Sequence, residues 1–193
     1  LEEIKDHMKN YNLENSSLIL KKQLHVIDEQ IRELRLIRSR VQHRCVSMEE
    51  ALKYRSNPIV VESAPHQFVL WHKVEAPYSL EEVSIATKKC FTDAKKGRLQ
   101  IFFQSGVVVP TERIERGVFT EASIAFIPIE YNTKAKNIME LPAGPSVSIY
   151  HFGTYASIDR SYRKLIAYCQ KEGLKRISDS YEFCINDYIT SGD

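Results

Sequence analysis

The first repeated pattern in the chain is a stripe of apolar residues at alternating steps of four and three. This heptad spacing predicts a long helix that packs against another helix, beginning near the Asn15-Ser16-Ser17 segment. Pairing with a second copy of the chain would bury the stripe, and we favour this homodimer over the open alternative of one helix docked on its own domain. The predicted interface residues are Leu20, Leu24, Ile27, Ile31, Leu34 and Val41.

After residue 57 the pattern changes from helical to strand-like. Segments 59–62 and 67–71 are rich in β-branched and aromatic residues on either side of Pro65. Segment 79–96 predicts a helix, because Ser79 and Glu82 have the spacing of a capping box and Gly97 follows the last turn. Two long strands, 99–109 and 118–129, are expected next, joined by a polar turn.

The second half of this region repeats the first at a period of about 78 residues. Segments 138–142 and 146–152 parallel the first two strands, a helix from Tyr155 to Lys171 closing at Gly173 parallels the first helix, and 181–186 parallels a later strand. The expected fold class is therefore α+β, with a long N-terminal coiled-coil helix followed by a pseudo-twofold duplicated β-β-α-β-β domain. A counterpart of 118–129 is missing, so either the second sheet is incomplete or, as we favour, one further strand lies beyond this sequence.

Composition narrows the classes of function. With 193 residues, 43% of them hydrophobic, and a net charge of +2, the chain is expected to be globular, with no charge argument for nucleic acid or a membrane surface. The four cysteines show neither a CxxC pair nor metal-ligand spacing, which predicts reduced thiols, a cytoplasmic location and no metal or cofactor. No membrane-spanning apolar run, nucleophile elbow or phosphate loop is present, so neither membrane contact nor catalytic residues are predicted.

Short motifs in a fixed order resemble those of a known family. They are Gln23, Ile27-Asp28, Ile31 and Leu34-Arg35 in the helix, Leu141-Pro142-Ala143-Gly144, Ser148-Ile149-Tyr150-His151-Phe152-Gly153 with Tyr155, and Ser178-Asp179-Ser180-Tyr181-Glu182. The opening Leu1-Glu2-Glu3-Ile4-Lys5 looks like the end of a winged-helix domain. Together these segments resemble the MerR family of transcription regulators, in the branch that carries a GyrI-like effector-binding domain.

The resemblance implies a domain organisation and a set of partners. Residues 1–12 would be the remnant of a DNA-binding domain, 13–56 the dimerisation helix and linker, and 57–193 the effector-binding domain, with repeats of about 59–130 and 138–193. A homodimer would bind a small-molecule effector and would contact promoter DNA through a domain absent from this chain.

The resemblance also implies ligand-binding residues. An acid between Tyr181 and Phe183 in a strand is costly unless it is solvated, paired or used, and the matching glutamate of the family faces the ligand cavity. Glu182 is thus expected to bind a lipophilic effector, which is cationic in the family's multidrug sensors; a solvent-facing Glu182 is the alternative. The other ligand-binding candidates are Tyr150, Phe103, Trp71, Tyr78, Phe152 and Tyr155.

Two other functions compete with a regulator. Some GyrI-like domains resemble hydrolases that use a cavity glutamate as a base, and Glu182 with Tyr150 could serve in that way. The coiled coil and the winged-helix remnant argue against a free-standing enzyme, so no enzymatic activity is predicted. A dimeric interaction module without a ligand is the third possibility.

Overall fold

The computed structural model describes residues 12–56, 58–102, 104–131 and 135–186. The chain divides into two compact units, one up to His43 and one from Arg44. The α-helix α1, Leu13–Lys53, runs through this division. It begins earlier than predicted because the side chain of Asn12 accepts a 2.7 Å hydrogen bond from the Asn15 amide and so caps the first turn.

The predicted interface stripe lies on α1 with its side chains exposed in the single chain. The exposed fraction ranges from 40% for Ile31 to 64% for Leu20. Large apolar side chains at helical spacing normally lose most of their exposure by packing on another element. The heptad prediction therefore places a long helix correctly and identifies a face that the described part of the single chain leaves open.

The second unit combines short strands and helices in an α+β arrangement. In chain order its elements are β1 Ile59–Ala64, β2 Gln67–Lys73, α2 Leu80–Lys96, β3 Ser105–Val109, α3 Thr111–Glu115, β4 Ile124–Ile129, β5 Ile138–Leu141, β6 Gly144–Ile149, the 3₁₀ turn Tyr155–Ser157, α4 Asp159–Lys171 and β7 Ser180–Cys184.

The strands form two antiparallel sheets. One consists of β1 and β6, and the other has the order β5-β2-β4-β3-β7. Cross-strand partners on one face of the larger sheet are Trp71, Phe126, Gly106 and Phe183, and on the other face His72, Ala125, Val107 and Glu182. Because directly paired residues share a face, this register fixes which side chains can meet.

Helix α2 covers one face of the larger sheet. Its Cys90 and Ala94 pack with Leu70, Ile127 and Ile129 of β2 and β4. The predicted start of α2 is confirmed, since the Glu82 amide donates to Ser79 Oγ at 3.3 Å, and Gly97 caps its end. A second cluster, Val69, Val108, Phe126 and Leu141, forms the core on the opposite face.

Several predicted strands are shorter than expected. Within 99–109 only Ser105–Val109 is a strand, with Ile101 in an isolated bridge to Ile129. Within 118–129 the strand begins at Ile124, because Phe119 is buried in a side-chain cluster instead of a ladder. The intervening turn contains α3, which begins directly after Pro110, a residue that lacks an amide hydrogen and suits a helix start.

Candidate functional site

Glu182 occupies the middle of the edge strand β7, opposite Val107 of β3. Side chains alternate along a strand, so Tyr181 and Phe183 point to the other face, where each is 36% exposed. Glu182 itself is half-buried. The structure therefore does not support the alternative of a fully solvent-facing acid at this position.

The closest partner of Glu182 is Tyr162 on α4. The Tyr162 hydroxyl donates a 2.5 Å hydrogen bond to Glu182 Oε1 and lies 3.0 Å from Ser180 Oγ. The tyrosine is 5% exposed, and its ring stacks on Phe119 with centroids 4.8 Å apart. An apolar cluster that includes Ile158 holds this ring, so the hydroxyl reaches the carboxyl from a fixed position.

Two opposing effects set the charge of Glu182. Burial raises the pKa of its carboxyl to about 7, and the hydrogen bond from Tyr162 opposes that rise. Burial and then the neighbouring Glu182 charge raise the pKa of Tyr162, which keeps the phenol protonated as a donor. Near neutral pH the site thus holds a carboxyl that exists in both forms, and the charged form is poorly solvated.

Tyr155 adds a second phenol to this site. It lies in the 3₁₀ turn before α4 and packs on the same apolar cluster as Tyr162. Burial and then the charge of Glu182 raise its pKa, which places the two groups within electrostatic range. The Tyr155 hydroxyl is buried and has no hydrogen-bond partner among the residues that the structure describes.

Neither Tyr150 nor Phe152 is among the described contacts of this site. Tyr150 follows the end of β6 and stacks on Tyr54, with ring centroids 5.0 Å apart and an interplanar angle of 6°. Burial, followed by the charges of Glu50 and Glu62, raises the Tyr150 pKa, and Glu182 is not among the causes. Phe152 is 43% exposed.

Trp71 and Tyr78 also have other neighbours. Trp71 pairs with Phe126 and so lies on the opposite face of the sheet from Glu182. The Tyr78 ring packs near Val107, but the guanidinium of Arg113 covers it at 3.8 Å from the centroid. Phe103 lies outside the described residues. Of the seven predicted ligand-binding residues, Glu182 and Tyr155 are the two that the described contacts bring together.

Sequence reasoning missed Tyr162. Ile158, the residue before α4, and Tyr162 and Ile166 within α4 recur every fourth residue and pack in one cluster, which is the pattern of a buried helix face. A tyrosine in such a stripe has the same spacing as a core residue, and its hydroxyl needs a polar partner when buried. The need of a buried tyrosine hydroxyl for a polar partner could have indicated that a polar residue lies opposite α4.

A concave surface lies along helix α2, next to His72 of β2. It is a groove of about 390 Å³ lined by His72, Ile85, Lys88, Lys89, Thr92, Asp93 and Lys96. Two of its lining residues, His72 and Asp93, are in contact, with 2.9 Å between His72 Nε2 and Asp93 Oδ2. None of the predicted ligand-binding residues lines this groove.

Metal-binding clusters and membrane-spanning helices are both absent from the described ranges. No group of three or more His, Cys, Asp or Glu side chains there is close enough to hold a metal ion. No helix in the same ranges is long and apolar enough to cross a membrane. Each of the four cysteines is a free thiol.

Comparison with known proteins gives a structural likeness without a sequence match. No protein-family model matches the chain, and no curated protein sequence matches it. Among solved structures, the chain is similar to a cryo-EM structure of an EcmrR–DNA complex in EcmrR-RPo, with a TM-score of 0.58 and 18% identity over 100% of this chain and 72% of that one. It is also similar to the crystal structure of the EcmrR C-terminal domain, with a TM-score of 0.56 and 15% identity over 71% of this chain and 89% of that one. At these identities the likeness establishes a shared fold.

Proposed function

We propose that this chain is the dimerisation and ligand-sensing portion of a cytoplasmic MerR-type transcription regulator, and that its effector is a lipophilic cation bound at Glu182. The observation that carries the proposal is the half-buried Glu182 carboxyl, which accepts a hydrogen bond from Tyr162, a member of a buried apolar and aromatic cluster. The shared fold with a regulator solved in complex with DNA supports the same assignment.

The electrostatics of the site favour a cation. A carboxylate that has lost part of its hydration gains more from a positive charge than a fully solvated one does. An apolar ligand body would contact the aromatic side chains nearest Glu182, and an accessible ring face would add cation–π attraction. Ligand binding would therefore relieve the cost that burial imposes on the charged form of Glu182.

The strand pairing supports a duplicated, GyrI-like domain. Suppose that β1 corresponds to β5, β2 to β6 and β3 to β7. Exchanging the two halves then converts the β1–β6 pair into the β5–β2 pair, and both pairs are present. The same exchange maps the β3–β7 pair onto itself. This is the behaviour expected of a pseudo-twofold axis that passes between β3 and β7, as the repeat in the sequence predicts.

The stripe on α1 supports a homodimer. Leu24 and Leu34 are 59% and 63% exposed, although they follow the heptad spacing of a helix–helix seam. A second copy of α1 would bury this stripe. A dimer could also adopt two arrangements of its subunits. A ligand acts on a distant site only by favouring one of two such arrangements. Promoter DNA would be contacted through a domain outside this chain.

Titration with a fluorescent lipophilic cation tests the proposed function. Replacing Glu182 with Gln keeps the side-chain shape and removes the charge, so we expect at least about a tenfold loss of affinity, as for a lost buried ion pair. Glu62→Gln is the matched control, because Glu62 lies on an exposed position of β1 and should leave the affinity unchanged. Equal affinities of the wild-type and Glu182→Gln proteins would reject the assignment.

Hydrolysis is the second candidate, and the raised pKa of Glu182 favours it. A carboxyl with a pKa of about 7 is well matched to act as a general base near neutral pH. Tyr162, not the predicted Tyr150, is the tyrosine beside it. If the protein converts small electrophilic substrates to products and the Glu182→Gln variant does not, the result would support hydrolysis. If the compounds are recovered unaltered after binding, the result would support ligand sensing.

A further inference from the structure

Two polar groups of the Glu182 site have unused hydrogen-bonding capacity. The Tyr155 hydroxyl is buried and has no partner among the described residues. The described hydrogen bond to the Glu182 carboxyl, from Tyr162, reaches Oε1 alone. A buried polar group without a partner, such as the Tyr155 hydroxyl, is unfavourable, so a ligand that donates a hydrogen bond to it gains affinity from that bond.

We propose that Tyr155 is a specificity-determining residue which, with Glu182, selects cations that carry N–H bonds, such as primary and secondary ammonium groups, over quaternary ammonium groups of similar shape. This inference rests on the proposed function, because it assigns the class of cation to the same site. It makes the site a hydrogen-bonding one and not a general site for lipophilic positive charge.

The two classes of cation differ in the hydrogen bonds that they can donate. An ammonium N–H can donate to the Glu182 oxygen that Tyr162 leaves free, and a second N–H can donate to the phenol oxygen of Tyr155. A quaternary ammonium group satisfies neither atom and depends on charge and on aromatic faces. One face of the Tyr162 ring is already covered by Phe119, which reduces the aromatic surface that such a ligand could use.

A matched pair of probes tests the inference. They are the 1-naphthylmethylammonium ion and its N,N,N-trimethyl derivative, which share charge and ring and differ in N–H bonds. At mildly alkaline pH, where Glu182 is charged, we expect the wild-type protein to bind the primary ammonium about tenfold more tightly. Tyr155→Phe should abolish this preference through weaker binding of the primary ammonium, with the trimethyl compound little affected.

The control variant is Tyr181→Phe. Tyr181→Phe removes an exposed phenol from the other face of β7 and should keep the preference. If both probes bind equally to the wild-type protein, or if Tyr155→Phe weakens both equally, the selection is wrong while the cation site stands. If neither probe binds, the proposed function fails together with the inference. Unchanged circular dichroism and thermal unfolding of Tyr155→Phe show that the variant is folded.

Discussion

The Tyr162 hydroxyl donates a 2.5 Å hydrogen bond to Glu182 Oε1 and so joins α4 to the edge strand β7. This bond stabilises the charged carboxylate, whereas burial of Glu182 stabilises the neutral acid. The two effects leave the carboxyl near the midpoint of its titration at neutral pH. A cation that binds at the site would therefore increase the fraction of Glu182 that is ionised.

Removing this hydrogen bond should move the pH dependence of ligand binding. In Tyr162→Phe, burial acts on Glu182 unopposed, so its pKa rises further and the carboxylate form needed for cation binding appears at higher pH. A charge-assisted bond of this kind contributes on the order of 2 kcal/mol. The affinity for the dye should rise with pH to a plateau in both the wild-type protein and Tyr162→Phe, and the variant should reach the plateau at a higher pH. Coincident profiles would contradict this role for Tyr162, and Tyr181→Phe provides the control.

Glu182 should also make folding stability depend on pH. Its pKa is raised from 4.5 to about 7 in the folded protein, so the folded state binds more protons than the unfolded state between these values. The free energy of unfolding therefore falls as pH rises through this window, by at most about 3 kcal/mol at 1.36 kcal/mol per unit. Glu182→Gln removes this contribution.

Urea denaturation at several pH values measures the effect. The stability of Glu182→Gln relative to the wild-type protein should increase as pH rises from 4.5 to above 7 and change little beyond. Glu62→Gln, on an exposed strand position, should follow the wild-type protein throughout. A constant difference between Glu182→Gln and wild type over the window would show that Glu182 is not desolvated in the folded protein.

The α1 stripe predicts the state of association. Ile27→Asp places a charge in the proposed helix–helix seam and should weaken the dimer by more than about tenfold, because a buried unpaired carboxylate is costly. Val26→Asp is the matched control: Val26 is 48% exposed, close to the 45% of Ile27, but lies off the heptad positions. Sedimentation equilibrium distinguishes them, and a wild-type monomer or equal effects of both substitutions would reject the seam.

Close packing at Gly106 is expected to fix the position of β7. A Cβ atom at Gly106 would overlap the Phe126 ring and the backbone oxygen of Glu182. Gly106→Ala should therefore destabilise the fold by about 1–3 kcal/mol and also weaken ligand binding, since β7 must shift. Gly144→Ala is the control, because a Cβ there meets nothing within 4 Å. Denaturation curves that coincide for the two variants would contradict this packing argument.

The fold was predictable where local chemistry decides the structure. The capping box at Ser79 and the heptads of α1 depend on residues close in sequence, and both helices are present. The long strand predicted over 118–129 failed because Phe119 leaves the ladder to stack on Tyr162, a residue far away in the chain. Tertiary packing of this kind overrides the local preference for a strand.

The candidate site was predictable only in part, for the same reason. Glu182 was identifiable as an acid among aromatic strand residues, and Tyr155 through the family resemblance. Trp71 lies on the other face because β2 pairs Trp71 with Phe126, and a sequence does not show which residues of two strands are paired. Tyr162 was missed because its helical spacing is that of a core residue.

The carboxyl carbon of Glu182 offers the most direct test of the central claim. Its ¹³C chemical shift, followed over pH in labelled protein and assigned with Glu182→Gln, reports the protonation of this one group. Without ligand we expect a midpoint near 7, and with a saturating lipophilic ammonium ion a midpoint shifted clearly to lower pH, because the cation stabilises the carboxylate. A midpoint that the cation leaves unchanged would show that Glu182 is not the group that binds it.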